Sequence, residues 1–219
     1  MHASLPIDRY DAAVPAPWRS ASLCPEARTA ALVGSGGRAL WEAFRRSPEF
    51  GTEPDPLDAY TGRVVAAAAG EFERARPRSR IRVSLAFERQ GGVHADFIAL
   101  AEQARLGARS RLGLLLHPTY GPWLSLRAVV LTDWPKGPEK PVAPEGFDPC
   151  AGCPAPCATA CPGRALAASH FDVARCGGHR KIDPGCAEAC AARGACVVGR
   201  EHAYLPEALA HHMRHARLP

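Results

Sequence analysis

Eight of the nine cysteines fall between positions 150 and 196: Cys150, Cys153, Cys157, Cys161, Cys176, Cys186, Cys190 and Cys196. The first four form C-x2-C-x3-C-x3-C followed by Pro162. Each iron corner of a cubane needs one thiolate. A short loop of closely spaced cysteines can supply three of them, and a fourth cysteine before a proline serves the other cluster in two-cluster ferredoxins. The bacterial spacing is C-x2-C-x2-C-x3-C-P. Here one extra residue separates the second and third cysteines, in a stretch that holds Pro154 and Pro156. The second set, Cys176 and Cys186-x3-Cys190-x5-Cys196, is looser and is followed by Val197 where proline is usual. Eight thiolates are what two [4Fe–4S] clusters need. With crossed ligation, one cluster takes Cys150, Cys153, Cys157 and Cys196, and the other takes Cys161, Cys176, Cys186 and Cys190.

Two other chemistries use such cysteines. Zinc takes pairs of C-x2-4-C knuckles, and Cys150/Cys153 with Cys186/Cys190 would make one site, leaving four cysteines over. Disulfides require an oxidising compartment. Met1 to Trp18 has no apolar stretch of signal-peptide length. The longest small-apolar run, Val64 to Ala69, is far short of a membrane span. The expected location is therefore the cytoplasm, where dense cysteines read as metal ligands. Cys24 stands apart and reads as a buried structural thiol.

Gly34-Ser35-Gly36-Gly37-Arg38-Ala39 fits G-x-G-x-x-A after a short apolar run, with Glu53, Asp55 or Asp58 about twenty positions on. It marks Gly34 and Gly36 as candidate phosphate or cofactor contacts, although the following element reads as helix and no βαβ unit is evident. His117 and Tyr120 lie in a Pro/Gly-flanked turn and are candidates for lining a cofactor or substrate cleft. His211 and His215 share a helix face at i, i+4, better read as solvated than as a metal pair. Trp123 and Trp134 read as core or junction aromatics. No nucleophile or paired-carboxylate signature is evident.

These residues need elements to hold them. The chain has 219 residues, 47% hydrophobic, with a formal charge of +5. Only Lys136, Lys140 and Lys181 are lysines, and the basic residues form no stripe, which argues against nucleic-acid binding. Strands are expected at Ala30–Val33, Arg80–Phe87, Leu112–Leu116 and Trp123–Leu131. Helices are expected over about 38–46, 56–73, 95–105 and 206–217. Pro135, Pro138, Pro141, Pro144 and Pro149 make 133–149 a stiff connector. The expected organisation is an α+β (or α/β) domain over 1–145, a loop-rich two-cluster ferredoxin-like module over 146–203, and a C-terminal helix over 204–219.

The run Gly107 to Trp123, with Leu114-Leu115-Leu116-His117-Pro118-Thr119-Tyr120-Gly121-Pro122-Trp123, leads into a strand ending at Thr132-Asp133, a proline-rich link and the cysteines. This order resembles the join between cobalamin domain and ferredoxin module in epoxyqueuosine reductases and reductive dehalogenases, over roughly Leu106 to Cys196. The same turn, the widened cysteine loop and Ala191 to Gly199, with Tyr204 beyond, are similar to short bacterial 4Fe–4S ferredoxin-like proteins of uncharacterised function. The resemblance implies one-electron transfer through the clusters, with an electron-donor or acceptor protein as partner. It also implies a corrinoid (cobalamin) or nucleotide-assisted reductase as an alternative. It supplies no catalytic residue, because the acidic proton donor of the epoxyqueuosine reductases has no counterpart that can be placed here.

Overall fold

The computed structural model describes residues 1–52, 54–88, 95–136, 140–166 and 170–215. Glu53 and Pro138, named above, and the last residues of the expected C-terminal helix, 216–219, lie outside the described residues. In chain order the elements are β1 (His2–Pro6), α1 (Ile7–Ala13), β2 (Thr29–Gly36), α2 (Ala39–Phe44), α3 (Pro56–Ala75), β3 (Ile81–Leu85), α4 (Phe97–Gln103), β4 (Ala108–Arg109), β5 (Leu115–Leu116), β6 (Leu124–Thr132), α5 (Pro156–Ala160), α6 (Val173–Ile182), α7 (Pro184–Glu188), α8 (Ala191–Gly194) and α9 (Pro206–His215). The class is mixed α and β. No helix among the described residues is long and apolar enough to cross a membrane.

The chain divides into two compact units. The first comprises Met1–Ser35, Glu42–Leu106 and Ser125–Pro144. Its sheet has the order β1-β2-β6-β3. β1 runs antiparallel to β2, with Leu5 opposite Ala30, and β3 runs antiparallel to β6, with Val83 opposite Val130. Leu5, Leu32, Val129 and Leu131 bury their side chains against Tyr10 of α1 and Leu100 of α4. Cys24 is buried in the same core. The Tyr10 hydroxyl donates to Trp18 O (2.8 Å) and accepts the Asp96 N–H (2.9 Å), and burial pushes its pKa up to about 12. Asp96 then caps α4 by accepting from Ile98 N and Ala99 N. Arg127 on β6 holds α3, bonding Asp58 Oδ1 at 2.7 Å and Thr61 Oγ1 at 3.0 Å.

The second unit comprises Gly36–Trp41, Gly107–Leu124 and Glu145–Pro219. It holds the β4/β5 hairpin and α5 to α9, with Asp172 and Asp183 capping α6 and α7. Its small core joins Leu112, Leu116 and Ala192 to the thiols of Cys157 and Cys196.

Three expectations are corrected, and two elements lie outside what the sequence leads one to expect. β1 and α1 had no forecast, because Ala3, Ser4 and Leu5 are all buried and show no alternation, and a seven-residue helix is too short for its period to show. The strand expected over Leu112–Leu116 shrinks to β5, since Ser110 Oγ accepts Leu112 N–H, Ser110 N donates to Leu114 O, and Gly113 turns the chain at φ 69°. β2 extends through Gly36, so Gly34 and Gly36 lie inside a strand and not in a strand-to-helix turn. Trp134 is 43% exposed, so of core and junction the core reading does not hold for it.

Candidate metal centre

The widened first loop is built by local capping. Asp148 Oδ1 accepts the N–H groups of Cys150 (3.0 Å) and Ala151 (3.2 Å). The extra residue is absorbed at Ala155, which takes a left-handed conformation (φ 54°) and turns the chain so that Pro156 can open α5. α5 then carries Cys157 inward and ends at Cys161. The later cysteines sit on or beside short helices: Cys176 in α6, Cys186 in α7, and Cys190 and Cys196 on either side of α8.

The thiols fall into two neighbourhoods. Cys150, Cys153, Cys157 and Cys196 line one recess with Leu112, Leu116 and Ala155, enclosing about 360 Å³ including the space at its mouth. Cys157 is in electrostatic reach of the other three. In the second neighbourhood Cys186 is in reach of Cys161, Cys176 and Cys190. All eight are free thiols, and so is Cys24. Burial, and after it the neighbouring thiols, push Cys157 and Cys196 above their ordinary pKa. Burial likewise raises Cys176 and Cys186. Burial thus opposes ionisation at Cys157, Cys176, Cys186 and Cys196, and a cationic metal group removes that penalty by taking them as thiolates.

The donor set therefore fits a metal group, and its width bears on which. A single tetrahedral zinc with Zn–S bonds near 2.3 Å would bring its sulfurs to roughly 3.8 Å from one another. Among the described residues the group of potential ligands that closes to within 4.8 Å is His179, Asp183 and Cys186, and no trio of thiols does so. Within it, His179 Nε2 lies 3.1 Å from Asp183 Oδ2. Asp183 is held below its ordinary pKa first by the Cys186 N–H it accepts, and also by His179. Two sulfurs already accept backbone N–H groups, Cys161 from Ala165 and Cys190 from Arg193, each at 3.4 Å.

The turn singled out in the sequence supports this region. His117 is 3% exposed, and its Nδ1 accepts from Thr119 N (3.0 Å) and Tyr120 N (3.2 Å). Burial, and secondarily the nearby His202, lowers its pKa to about 4. Its Nε2 is buried without a hydrogen-bond partner. Tyr120 packs between the His117 ring (4.9 Å) and the His202 ring (4.8 Å). Gly121 and Gly199, both at positive φ, press backbone to backbone. A Cβ on Gly121 would meet Val198 O at 2.0 Å, and one on Gly199 would meet the Tyr120 carbonyl carbon at 2.4 Å. The turn thus fixes the chain just after Cys196.

Arg193, which belongs to the Ala191–Gly199 stretch but has no role assigned by its spacing, works beside it. Its guanidinium lies between the rings of Trp123 (4.8 Å) and Tyr204 (4.7 Å), and Nη2 donates to Pro122 O at 2.6 Å. A lone arginine inside an Ala/Gly-rich helix flanked by cysteines is the only cue the sequence offers. Gly34 and Gly36 have a packing reason for lacking side chains. A Cβ on Gly34 would sit 2.8 Å from Ser125 O, and one on Gly36 would sit 2.4 Å from the Tyr120 ring. His211 stacks on His215 (4.2 Å) and packs on Trp41 (5.4 Å).

No protein-family model matches this sequence, and no curated protein matches it. Solved structures do resemble it. An epoxyqueuosine reductase superposes with a TM-score of 0.66 at 13% identity, over 96% of this chain and 64% of its own. The epoxyqueuosine reductase of Bacillus subtilis gives 0.61 at 16% identity, over 94% of this chain and 63% of its own. The catabolic reductive dehalogenase NpRdhA gives 0.55 at 20% identity, over 96% of this chain and 33% of its own. The chain spans a little under two thirds of the length of those epoxyqueuosine reductases. At these identities the likeness is one of fold.

Proposed function

We propose that this chain is an iron–sulfur redox protein that holds two [4Fe–4S] clusters in a ferredoxin-like module and passes single electrons through them. The observation that carries the reading is the gathering of eight free thiols into two groups of four, the number of thiolates that two cubanes need. Cys150, Cys153, Cys157 and Cys196 would hold one cluster, and Cys161, Cys176, Cys186 and Cys190 the other. When bound, each cluster supplies a one-electron couple. The chain's own part is to exclude water and set the potential. Leu112, Leu116 and Ala192 wall the first site with apolar surface. The N–H groups of Ala165 and Arg193 aim at ligand sulfurs, which favours the more negative, reduced state less than bulk water would but more than a fully apolar wall.

The test is iron, acid-labile sulfide, zinc and cobalt per chain after purification without oxygen, for the wild type and for Cys157→Ser and Cys186→Ser. The expected result is about eight iron and eight sulfide, with each substitution abolishing a different paramagnetic signal on reduction. Stoichiometric zinc without sulfide would overturn the reading.

A second reading is favoured by the fold likeness, which spans nearly the whole chain. In it the clusters feed a corrinoid- or nucleotide-assisted reductase site. Cobalt beside the iron, with corrinoid absorption bands, would move this reading ahead of the simple carrier.

A further inference from the structure

We infer that the outer face of α6 is the docking surface for the electron partner, and that the partner is an acidic one-electron carrier protein. The inference rests on the cluster reading above.

At about 100° per residue, Ala174, Arg175, Gly178, Lys181 and Ile182 share an arc of about 120° on α6. All five are exposed. Ile182 at 79% is the most exposed large hydrophobic side chain among the described residues. Cys176 and His179 fall on the other side of the helix and are half-buried. Of the second group of thiols, Cys176 therefore lies across this one helix from the arc.

Its chemistry selects a partner. It carries two positive charges, Arg175 and Lys181, and no acid. Arg175 Nη1 is tied to Arg164 O at 3.3 Å, three residues after Cys161, which holds it without neutralising it. The aspartates that flank α6 are already engaged. Asp172 accepts Arg175 N–H at 2.8 Å, and Asp183 caps α7 and pairs with His179. A bare isoleucine beside two unneutralised cations is the pattern of an apolar contact ringed by steering charge. Gly178 adds an independent observation. Glycine inside a helix weakens it, and nothing lies within 4 Å of where its Cβ would be. Packing within the chain does not require a glycine there, whereas close approach by another backbone does.

The step itself is simple. Cys161, Cys176, Cys186 and Cys190 would hold the cluster that accepts one electron from the reduced partner. The partner is oxidised by one electron and the cluster reduced by one, no bond forms or breaks, and no proton moves.

The experiment titrates the cluster-loaded protein with a purified acidic flavodoxin by calorimetry at low and high salt, and follows its reduction by the same flavodoxin, photoreduced, in stopped flow. Iron and sulfide are measured on each sample. The expected result is salt-sensitive binding that weakens on the order of tenfold in Arg175→Glu/Lys181→Glu, and again in Ile182→Ser. Reduction by dithionite and iron content should not change. Unchanged binding in these variants, or no binding by the loaded wild type, would overturn the docking surface and leave the cluster reading standing. Absence of iron and sulfide in the wild type would bring down the cluster reading instead. In Gly178→Ala the flavodoxin affinity should fall while thermal stability holds or rises, and equal affinity would remove the argument from close approach.

Discussion

His117 accepts two backbone N–H groups on Nδ1, so its proton belongs on Nε2 and the ring is neutral. Its pKa is lowered to about 4 against 6.5 when unfolded. Between those values the unfolded chain binds the extra proton and the folded one does not. The neutral form's contribution is therefore complete above about pH 6.5 and is lost as pH falls toward 4, amounting to about 3 kcal/mol. His117→Asn keeps an acceptor but cannot titrate. Melting of the wild type at pH 7.5 and 5 should show a larger drop than melting of the variant, and equal drops would count against the assignment. Arg193 gives a second prediction. Arg193→Leu loses both ring contacts and the bond to Pro122 O, at about 2–3 kcal/mol. Because α8 lies between Cys190 and Cys196, on the two-cluster reading the variant should shift the redox potentials of both proposed centres, while Arg214→Leu, whose partner is the exposed Glu188, should shift neither. The cysteines were legible because their spacing is itself the signal. Arg193 was not, because its role depends on Trp123 and Tyr204, which come from distant parts of the chain.

Elements tell a similar story. α3 and β6 were readable because each is long and has a regular pattern. β1 was hidden because burial of successive residues erases alternation. The glycines of β2 are ambiguous in sequence because the motif records only that side chains are absent, which both phosphate approach and tight packing require; the packing is what the structure shows. Packing predicts a specific coupling. Gly36→Ala, with its Cβ against the Tyr120 ring, should destabilise by about 1–3 kcal/mol, and Tyr120→Ala in the same chain should recover part of that loss in a double-mutant cycle. Gly34→Ala meets the backbone oxygen of Ser125 instead, so no side-chain substitution there should rescue it.

At the scale of the whole molecule the two units differ in what holds them. The first packs Leu5, Leu32, Leu100, Val129 and Leu131 into a conventional apolar core. The second buries Trp41, Leu115, Trp123 and Ala208, and its remaining cluster of Leu112, Leu116 and Ala192 is completed largely by cysteines, so on the cluster reading bound metal groups would fill out that cysteine-lined part of the core. Stripping metal by chelation under oxidising conditions should leave the amides of β1, β2 and β6 slow to exchange, while those of α5 to α8 become fast. Uniform protection after stripping would show that the second unit folds without metal. This division was only partly legible in the sequence. The proline-rich stretch suggested a boundary along the chain, but membership of Gly107–Leu124 in the cysteine-bearing unit depends on long-range pairings such as Gly121 with Val198.

That membership bears on how such a protein diversifies. A unit assembled from three separated stretches of one gene cannot be moved by a single recombination event. A crossover in the proline-rich stretch would carry off the cysteines without the turn that seats the last of them. Descendants should therefore vary by drift and by insertions at exposed loops, and the cysteine block should be inherited together with the His117–Trp123 segment or not at all.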